Sequence, residues 1–225
     1  MEKINSLIQK YPQLIIVEDG VYEHLCFEHL PLKLPRFANL PNTWNRTISV
    51  YSAGKLFSAT GIRVGWAIGP QNLIKYVQSF HQYSVFCQHG PMQDAVSEAL
   101  DTSISKGNYF NDTQQLLIKQ RDLLIDQLTK SKIPLNIWVP QGGYFVIADI
   151  SNVQVNKKYF QDEKNGQEYS KDYAFSLWLC KEKGVTSIPC SSFYPSESKK
   201  DGENLVRFAF CKTNDQILEA GKRLQ

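Results

Sequence analysis

The sequence predicts an α/β fold with a mainly parallel sheet, followed by a smaller α+β unit. Short apolar and β-branched runs alternate with amphipathic helical patterns over the first part of the chain, which is typical of strands and helices layered on one sheet. After Pro134 the pattern changes to a strand, a polar stretch, a helix, a second strand and a final helix. We therefore predict two domains, residues 1–133 and residues 134–225.

Three strands are predicted in the first domain: QLIIVED (13–19), TISVYS (47–52) and RVGWAIG (63–69). The first is a continuous apolar run that ends in acidic residues, which is typical of a strand buried on both faces of a parallel sheet. Helices are predicted over residues 2–10, 72–82, 91–100 and 111–131. The last of these is long and amphipathic, with Asn111 or Asp112 as its N-cap.

The second domain has two predicted strands and two predicted helices. The strands are GGYFVIADI (142–150) and NLVRFAFC (204–211), and the helices are DYAFSLWLCKEKG (172–184) and DQILEAGKRLQ (215–225). Gly184 is expected to close the first helix. The polar residues 152–169 are expected to form a surface loop.

The composition excludes several classes of protein. Hydrophobic residues make up 42% and charged residues 21%, as in ordinary globular proteins. The net charge of +3 is small and the lysines are scattered, so nucleic-acid binding is not indicated. The apolar runs are too short to span a bilayer. The five cysteines form no Cys-x-x-Cys pair, so we predict no metal site and expect buried, reduced thiols.

One lysine is placed where a ligand would bind. Lys55 follows the strand 47–52, and ligands of open α/β sheets bind at the carboxyl ends of strands. It does not belong to a phosphate-binding P-loop, because Ser49 and Leu56 replace the glycine and the hydroxyl residue of that motif. A desolvated lysine can form a Schiff base with a carbonyl. Ser52 and Arg63 add the hydroxyl and the guanidinium that a phosphate needs.

The preceding strand ends in two further candidates. Asp19 closes QLIIVED, and Tyr22 follows three residues later. A carboxylate can hold a cationic ring nitrogen, and a phenol can donate to a ring oxygen. Taken singly, these residues are equally compatible with a turn, a core aromatic and surface charges. Taken together with the lysine and its phosphate-binding neighbours, they match the groups of pyridoxal phosphate.

The order of these motifs resembles a known family. The segments EDGVY, SAGKLFSATGIRVGW and LVRFAF resemble three signatures of the fold-type I, class I/II aminotransferases, which depend on pyridoxal 5'-phosphate. The segments HQYSVFCQ, PQGGYFVIADIS and KGVTSIPCSSFYP resemble the branch of kynurenine aminotransferases, also called glutamine transaminase K or cysteine-S-conjugate β-lyase. The resemblance extends over essentially the whole chain.

The resemblance implies a role for each cofactor-binding candidate. Lys55 would bind the cofactor covalently and carry the proton during catalysis. Asp19 would pair with the pyridine nitrogen, and Tyr22 would contact the ring oxygen. Ser52 and Arg63 would hold the phosphate.

It also implies two substrate-binding residues. Arg207 would clamp the substrate α-carboxylate, although an arginine in an alternating strand can equally face solvent. Phe86 would reach the pocket of a neighbouring subunit, although an aromatic residue is more often part of a core. Cys87 stands where the branch often has histidine.

The function implied by the resemblance is transamination between an L-amino acid and a 2-oxo acid. Kynurenine, glutamine and aromatic or sulfur-containing amino acids are the expected substrates, with β-lyase activity on cysteine conjugates as a side reaction. The family is homodimeric, so a homodimer is expected, in the cytoplasm or, with a preceding transit peptide, in mitochondria. The family's motifs begin before this chain does, so we expect it to lack the N-terminal half. The alternative is a non-catalytic binding or dimerisation module.

Overall fold

The computed structural model describes residues 2–27, 36–162 and 165–225. Its contacts divide the chain into two compact units, Met1–Asn111 and Asp112–Gln225. This division falls inside the longest helix, whereas the sequence predicted a domain boundary just after that helix. The predicted boundary between the two domains, at residues 133/134, stays a prediction.

In its described residues, the first unit contains a three-stranded sheet and four complete α-helices. Its elements are α1 (Glu2–Gln9), β1 (Ile16–Asp19), β2 (Thr47–Ser52), α2 (Ala53–Leu56), β3 (Gly65–Ile68), α3 (Gln71–Ser84), α4 (Gly90–Lys106) and the start of α5 (Tyr109–Thr129). The strand order is β1-β2-β3. β1 and β2 are parallel, as predicted, but β3 is antiparallel to β2, so this sheet is mixed.

The antiparallel direction of β3 follows from its connection to β2. A parallel return needs a crossover of a dozen or more residues, usually containing a substantial helix. Here residues 53–64 contain only short turns, α2 and a 3-10 turn at Thr60–Ile62, and no helix long enough for such a crossover. The backbone N–H of Ala53 donates to the carbonyl of Val64 at 3.0 Å, which brings the chain straight back beside β2.

The prediction that the first strand is buried on both faces was wrong. Ile15 is 57% exposed and Val17 is 67% exposed. β1 lies at the edge of its sheet, and burial on both faces requires other elements to cover both of them. The buried core of this unit is correspondingly small, and it centres on Ala53, Val64 and Val96.

The helix α5 begins at Tyr109, before both predicted N-cap candidates, Asn111 and Asp112. Aromatic contacts account for the earlier start. The ring of Tyr109 lies 5.5 Å from that of Phe57, and the ring of Phe110 stacks on His24 at 4.3 Å. Capping patterns in the sequence cannot report such contacts, because the partner rings lie far away along the chain.

The second unit contains an antiparallel sheet flanked by helices. After the remainder of α5 its elements are β4 (Asn136–Trp138), β5 (Phe145–Asp149), α6 (Lys171–Trp178), β6 (Ile188–Pro189), β7 (Leu205–Ala209) and α7 (Asn214–Leu224). The strand order is β4-β5-β7-β6. Every neighbouring pair is antiparallel, in agreement with the predicted α+β unit.

Both predicted features of the α6 region are present in the structure. A π-helical turn, Leu179–Lys183, continues α6 as far as Gly184, which closes the helix with a φ of +64°. In the predicted surface loop 152–169, the described residues form a 3-10 turn at Lys157–Tyr159 and an isolated antiparallel bridge between Gln161 and Glu168. Residues 163–164 of that loop lie outside the described residues.

The cysteines are less buried than predicted. Only Cys190 is buried, whereas Cys87, Cys180 and Cys211 are exposed. Among the described helices, none combines the length and the apolar character needed to cross a membrane. Within the described ranges, no group of three or more His, Cys, Asp or Glu side chains could hold a metal ion.

Candidate active site

The strands of the first unit bring polar residues to one edge of their sheet. Because β1 and β2 are parallel, with Asp19 opposite Val50, their carboxyl ends lie side by side. Asp19 ends β1 and Ser52 ends β2. Gly65, at the start of the antiparallel β3, lies opposite Ser52, and Arg63 comes two residues earlier. The topology therefore places Asp19, Ser52 and Arg63 at the same edge.

Lys55 lies at this edge as well. It belongs to α2, the single helical turn that begins directly after Ser52, and both side chains are half-buried. The Lys55 Nζ atom is 6.0 Å from the centroid of the Tyr22 ring. Tyr22 lies in the turn that follows β1, where its carbonyl accepts a hydrogen bond from the N–H of Leu25 at 2.9 Å. The amine of Lys55 therefore lies over the ring of Tyr22 at the strand ends.

The backbone of Arg63 is strained. Its φ of 55° and ψ of 33° lie in the left-handed region, which residues other than glycine rarely adopt. The side chain is exposed, and its Nη1 atom donates to the carbonyl of Thr60 at 3.3 Å. Strain of this kind persists only where surrounding structure enforces it, and it is concentrated at ligand-binding sites.

The sequence reasoning missed a glycine that shapes the turn around Lys55. Gly54 is buried, and a Cβ atom on it would lie 3.0 Å from Cα of Thr60 and 3.3 Å from the carbonyl oxygen of Ala59. The N–H of Ala59 also donates to the carbonyl of Gly54 at 2.9 Å. The loop that leads to Arg63 therefore packs directly on the backbone beside Lys55. The signal in the sequence is the glycine directly before Lys55, because glycine is typical of positions where another backbone approaches closely.

A second missed residue is Glu18, which precedes Asp19 on the other face of β1. Its carboxylate accepts hydrogen bonds from the Ser49 hydroxyl at 2.7 Å and from the backbone N–H of Phe37 at 3.0 Å. Hydrogen bonds to a charged group are stronger than neutral ones, so they help to fix β1 against β2. This partnership depends on strand register and had no signal in the sequence.

Arg207 lies in the second unit, in the middle of β7. Residues at alternate positions of β7 are buried, whereas Arg207 is half-buried on the other face. Its guanidinium carbon lies 4.0 Å from the centroid of the Phe145 ring and 4.6 Å from that of the Phe193 ring. Its Nε atom is buried and has no hydrogen-bond partner among the described residues. The sequence reasoning identified Arg207 but missed both rings.

Arg207 also influences the neighbouring buried thiol. Burial raises the pKa of Cys190, while the positive charge of Arg207 works in the opposite direction. The net effect is a raised pKa, so the thiol is held neutral beside the guanidinium. Cys190 therefore does not neutralise the positive charge of Arg207.

Phe86 stands apart from the other predicted residues. It follows α3 with a φ of +71°, and its side chain is 78% exposed. In the part of the chain that the structure describes, no hydrogen bond or ring contact joins it to the groups around Lys55. The prediction that Phe86 enters a neighbouring subunit stays a prediction.

Comparisons with known proteins identify the family of this chain. Residues 1–224 match the family model described as "Aminotransferase class I and II". The chain is 37% identical to the kynurenine–oxoglutarate transaminase of Dictyostelium discoideum, over 100% of this chain and 51% of that protein. It is also 37% identical to human kynurenine–oxoglutarate transaminase 3, over 100% of this chain and 48% of that protein.

A solved structure gives the same result. The crystal structure of Bna3p from Saccharomyces cerevisiae superposes with a TM-score of 0.88 at 32% identity, over 99% of this chain and 52% of that one. The chain spans about half the length of the curated relatives that it matches. The match to the family model extends over nearly all of the chain and includes every strand and helix described above. The chain therefore belongs to the class I and II aminotransferases.

Proposed function

We propose that this chain carries the cofactor-binding lysine and the substrate-carboxylate arginine of a pyridoxal-phosphate-dependent aminotransferase. The reaction would move an amino group between an L-amino acid and a 2-oxo acid. The observation that carries the proposal is the meeting of Asp19, Ser52, Lys55 and Arg63 at one sheet edge in a member of this family.

The residues at this edge fit the chemistry of the cofactor. Ser52 and Arg63 supply a hydroxyl and a guanidinium for the phosphate, and Asp19 supplies a carboxylate for the protonated ring nitrogen. Tyr22 offers a phenol for the ring oxygen, close to Lys55. When bound, pyridoxal phosphate supplies an electron sink for negative charge at the substrate Cα.

The chain's own groups perform the remaining tasks. Lys55 Nζ would hold the cofactor through its aldehyde, and as a free amine it would move the proton at the substrate Cα. Asp19 would favour the protonated ring nitrogen, because a nearby carboxylate stabilises the cationic form. Arg207 binds the substrate α-carboxylate, which every amino acid and every 2-oxo acid carries.

The substrate class is proposed from the relatives and the matching segments. Relatives at 37% identity are named kynurenine–oxoglutarate transaminases. We propose kynurenine, glutamine and aromatic or sulfur-containing amino acids as amino donors, with β-lyase activity on cysteine conjugates as a side reaction. The expectation of a cytoplasmic or mitochondrial enzyme is part of the same proposal.

A homodimer is also proposed. The exposed aromatic side chains of α3 and Phe86 support it, since apolar surface of this kind marks contact sites. The same observation favours the second candidate function, a non-catalytic dimerisation module. Selective reaction of one lysine with the cofactor distinguishes the two candidates, since the enzyme needs it and the dimerisation module does not.

The test is reductive trapping. The chain is incubated with substoichiometric pyridoxal phosphate, reduced with borohydride, digested and mapped by mass spectrometry. We expect the adduct on Lys55, and we expect weak retention of the cofactor when reduction is omitted. Lys75→Arg, on the surface of α3, is the matched control for Lys55→Arg and should leave the yield unchanged. An adduct found mainly on Lys75 or Lys119 would reject the assignment and favour the non-catalytic module.

A further inference from the structure

The guanidinium of Arg207 is held without a hydrogen bond. Within residues 2–27, 36–162 and 165–225 no carboxylate pairs with it, and its buried Nε atom has no acceptor. A buried donor without a partner is unfavourable, and an arginine side chain has many rotamers. Something other than hydrogen bonding must therefore fix the orientation of this side chain.

Two aromatic rings contact the guanidinium. Phe145 belongs to β5, the strand paired with β7, where Ile147 lies opposite Arg207. Phe193 belongs to the 3-10 turn Cys190–Phe193 that follows β6. The guanidinium carbon is 4.0 Å from the first ring centroid and 4.6 Å from the second. Both distances lie well inside the roughly 6 Å range of cation–π attraction.

Aromatic contacts and hydrogen bonds act on different parts of a guanidinium. A ring attracts the cation through its π face and accepts no conventional hydrogen bond from the N–H groups. The five N–H donors lie in the plane of the guanidinium, in the fork geometry that matches a carboxylate. The two rings can therefore hold the cation while leaving its donors for a ligand.

Buried contacts hold the turn that carries Phe193. Asp172 is fully buried, and its carboxylate accepts a hydrogen bond from the backbone N–H of Ser191 at 2.7 Å. A Cβ atom on Gly202 would lie only 2.8 Å from Cα of Ser191, so the neighbouring loop packs closely on this turn. The turn is thus anchored, although the Phe193 side chain is 59% exposed.

We propose that Phe145 and Phe193 are positioning residues for the carboxylate site of Arg207. This inference rests on the proposed function, in which Arg207 binds the carboxylate of the substrate. The two rings pre-organise the guanidinium, so that a carboxylate binds without first having to order a flexible side chain. The relevant ligand class is a small monocarboxylate, for which pyruvate is the probe.

The test measures access to Arg207 directly. Phenylglyoxal modifies arginine side chains, and the rate at Arg207 is followed by mass spectrometry at increasing pyruvate concentrations. In the unchanged chain pyruvate should protect Arg207, and the concentration dependence gives an apparent Kd. Phe193→Leu and Phe145→Leu should each weaken that Kd by roughly 3- to 30-fold, the range of single cation–π contacts.

Two further variants separate positioning from structure. Phe193→Tyr keeps a π face and should restore the apparent Kd to within about twofold of the unchanged chain. Phe80→Leu removes an exposed ring of the first unit and should leave the Kd unchanged. Because Phe193 is exposed, its leucine variant should unfold at the same denaturant concentration as the unchanged chain.

The outcomes distinguish a failure of the ring positioning from a failure of the carboxylate assignment of Arg207. If pyruvate protects Arg207 equally in the unchanged chain and in both leucine variants, the rings do not position it and this inference fails, while the carboxylate site stands. If pyruvate fails to protect Arg207 in the unchanged chain, the carboxylate assignment itself is wrong, and this inference falls with it.

Discussion

The two units differ in where their apolar side chains lie. Among the residues that the structure describes, twenty-two hydrophobic residues are buried, and four of them belong to the first unit, although the two units are nearly equal in length. Exposed large hydrophobic residues show the opposite distribution. The first unit exposes a group on α3 and the segment after it, namely Tyr76, Val77, Phe80, Tyr83, Val85 and Phe86, and a second group along α1 and β1.

This difference explains the contrast between the two candidate sites. Arg207 lies in a sheet whose other face is a complete core, and rings of its own unit hold it in place. The groups around Lys55 lie at the edge of a thin three-stranded sheet, where Asp19 and Arg63 are exposed. Large exposed apolar patches mark contact surfaces, so the first unit is the one expected to depend on a partner surface.

The largest effect is expected from removing a core ring of the second unit. Phe175 is fully buried, and Phe175→Ala should lower the free energy of unfolding by about 3–5 kcal/mol, because it leaves a cavity. The matched change in the first unit is Phe80→Ala, at a ring that is 76% exposed. It should change stability by less than about 0.5 kcal/mol. Urea titration measures both, and equal losses would remove the contrast between the units.

A smaller loss is expected at Asp172. Its carboxylate accepts hydrogen bonds from the N–H groups of Ser191 and Tyr173, so Asp172→Ala leaves one buried and one partly buried donor unpaired. We expect a loss of about 2–3 kcal/mol in the free energy of unfolding. Asp172→Asn keeps an acceptor oxygen and should lose less.

The same variant tests the link from the core to Arg207. Asp172→Ala should displace the turn that carries Phe193. Pyruvate should therefore protect Arg207 from phenylglyoxal less strongly in this variant than in the unchanged chain. Protection as strong as in the unchanged chain would show that the turn is not held by Asp172.

At the lysine site the corresponding test is Gly54→Ala. The new methyl group would press on the backbone of Thr60 and Ala59, which should cost about 1–2 kcal/mol and lower the yield of the trapped Lys55 adduct. Gly61→Ala is the control, because a Cβ atom there meets nothing within 4 Å. If both variants behave alike, close packing does not shape the turn around Lys55.

The smallest effect concerns pH and Glu23. Burial tends to raise the pKa of Glu23, but the hydrogen bond with His24 and the charge of Arg36 outweigh it, so its pKa lies below the ordinary 4.5. A depressed carboxyl pKa stabilises the fold above about pH 4.5, and this contribution is lost as the pH falls through the lowered value.

The check is the pH dependence of stability in Glu23→Gln. Above pH 5 the variant should be less stable by no more than about 1 kcal/mol, since the ion pair is partly exposed. The difference should shrink toward pH 3. Glu197→Gln, at an exposed position, is the control. A difference that grows on acidification would contradict the lowered pKa.

Local patterns in the sequence determined most of the elements. The apolar periodicity predicted each main helix, the β-branched run predicted β2, and the alternating pattern predicted β7. In β7 the alternation predicted the two faces, with Val206 and Phe208 buried and Arg207 on the opposite side. These features could be predicted because they depend on residues one to four positions apart, which the sequence shows directly.

Only the tertiary structure decided which groups meet and which are covered. The reversal of β3, the exposure of Val17 and the stacking of Phe145 and Phe193 on Arg207 all depend on neighbours far away along the chain. The sequence by itself determined the candidates, Lys55 after a strand and Arg207 within one. It could not determine the rings that hold Arg207, because strand register and loop packing are set by the balance of burial over the whole unit rather than by local pattern.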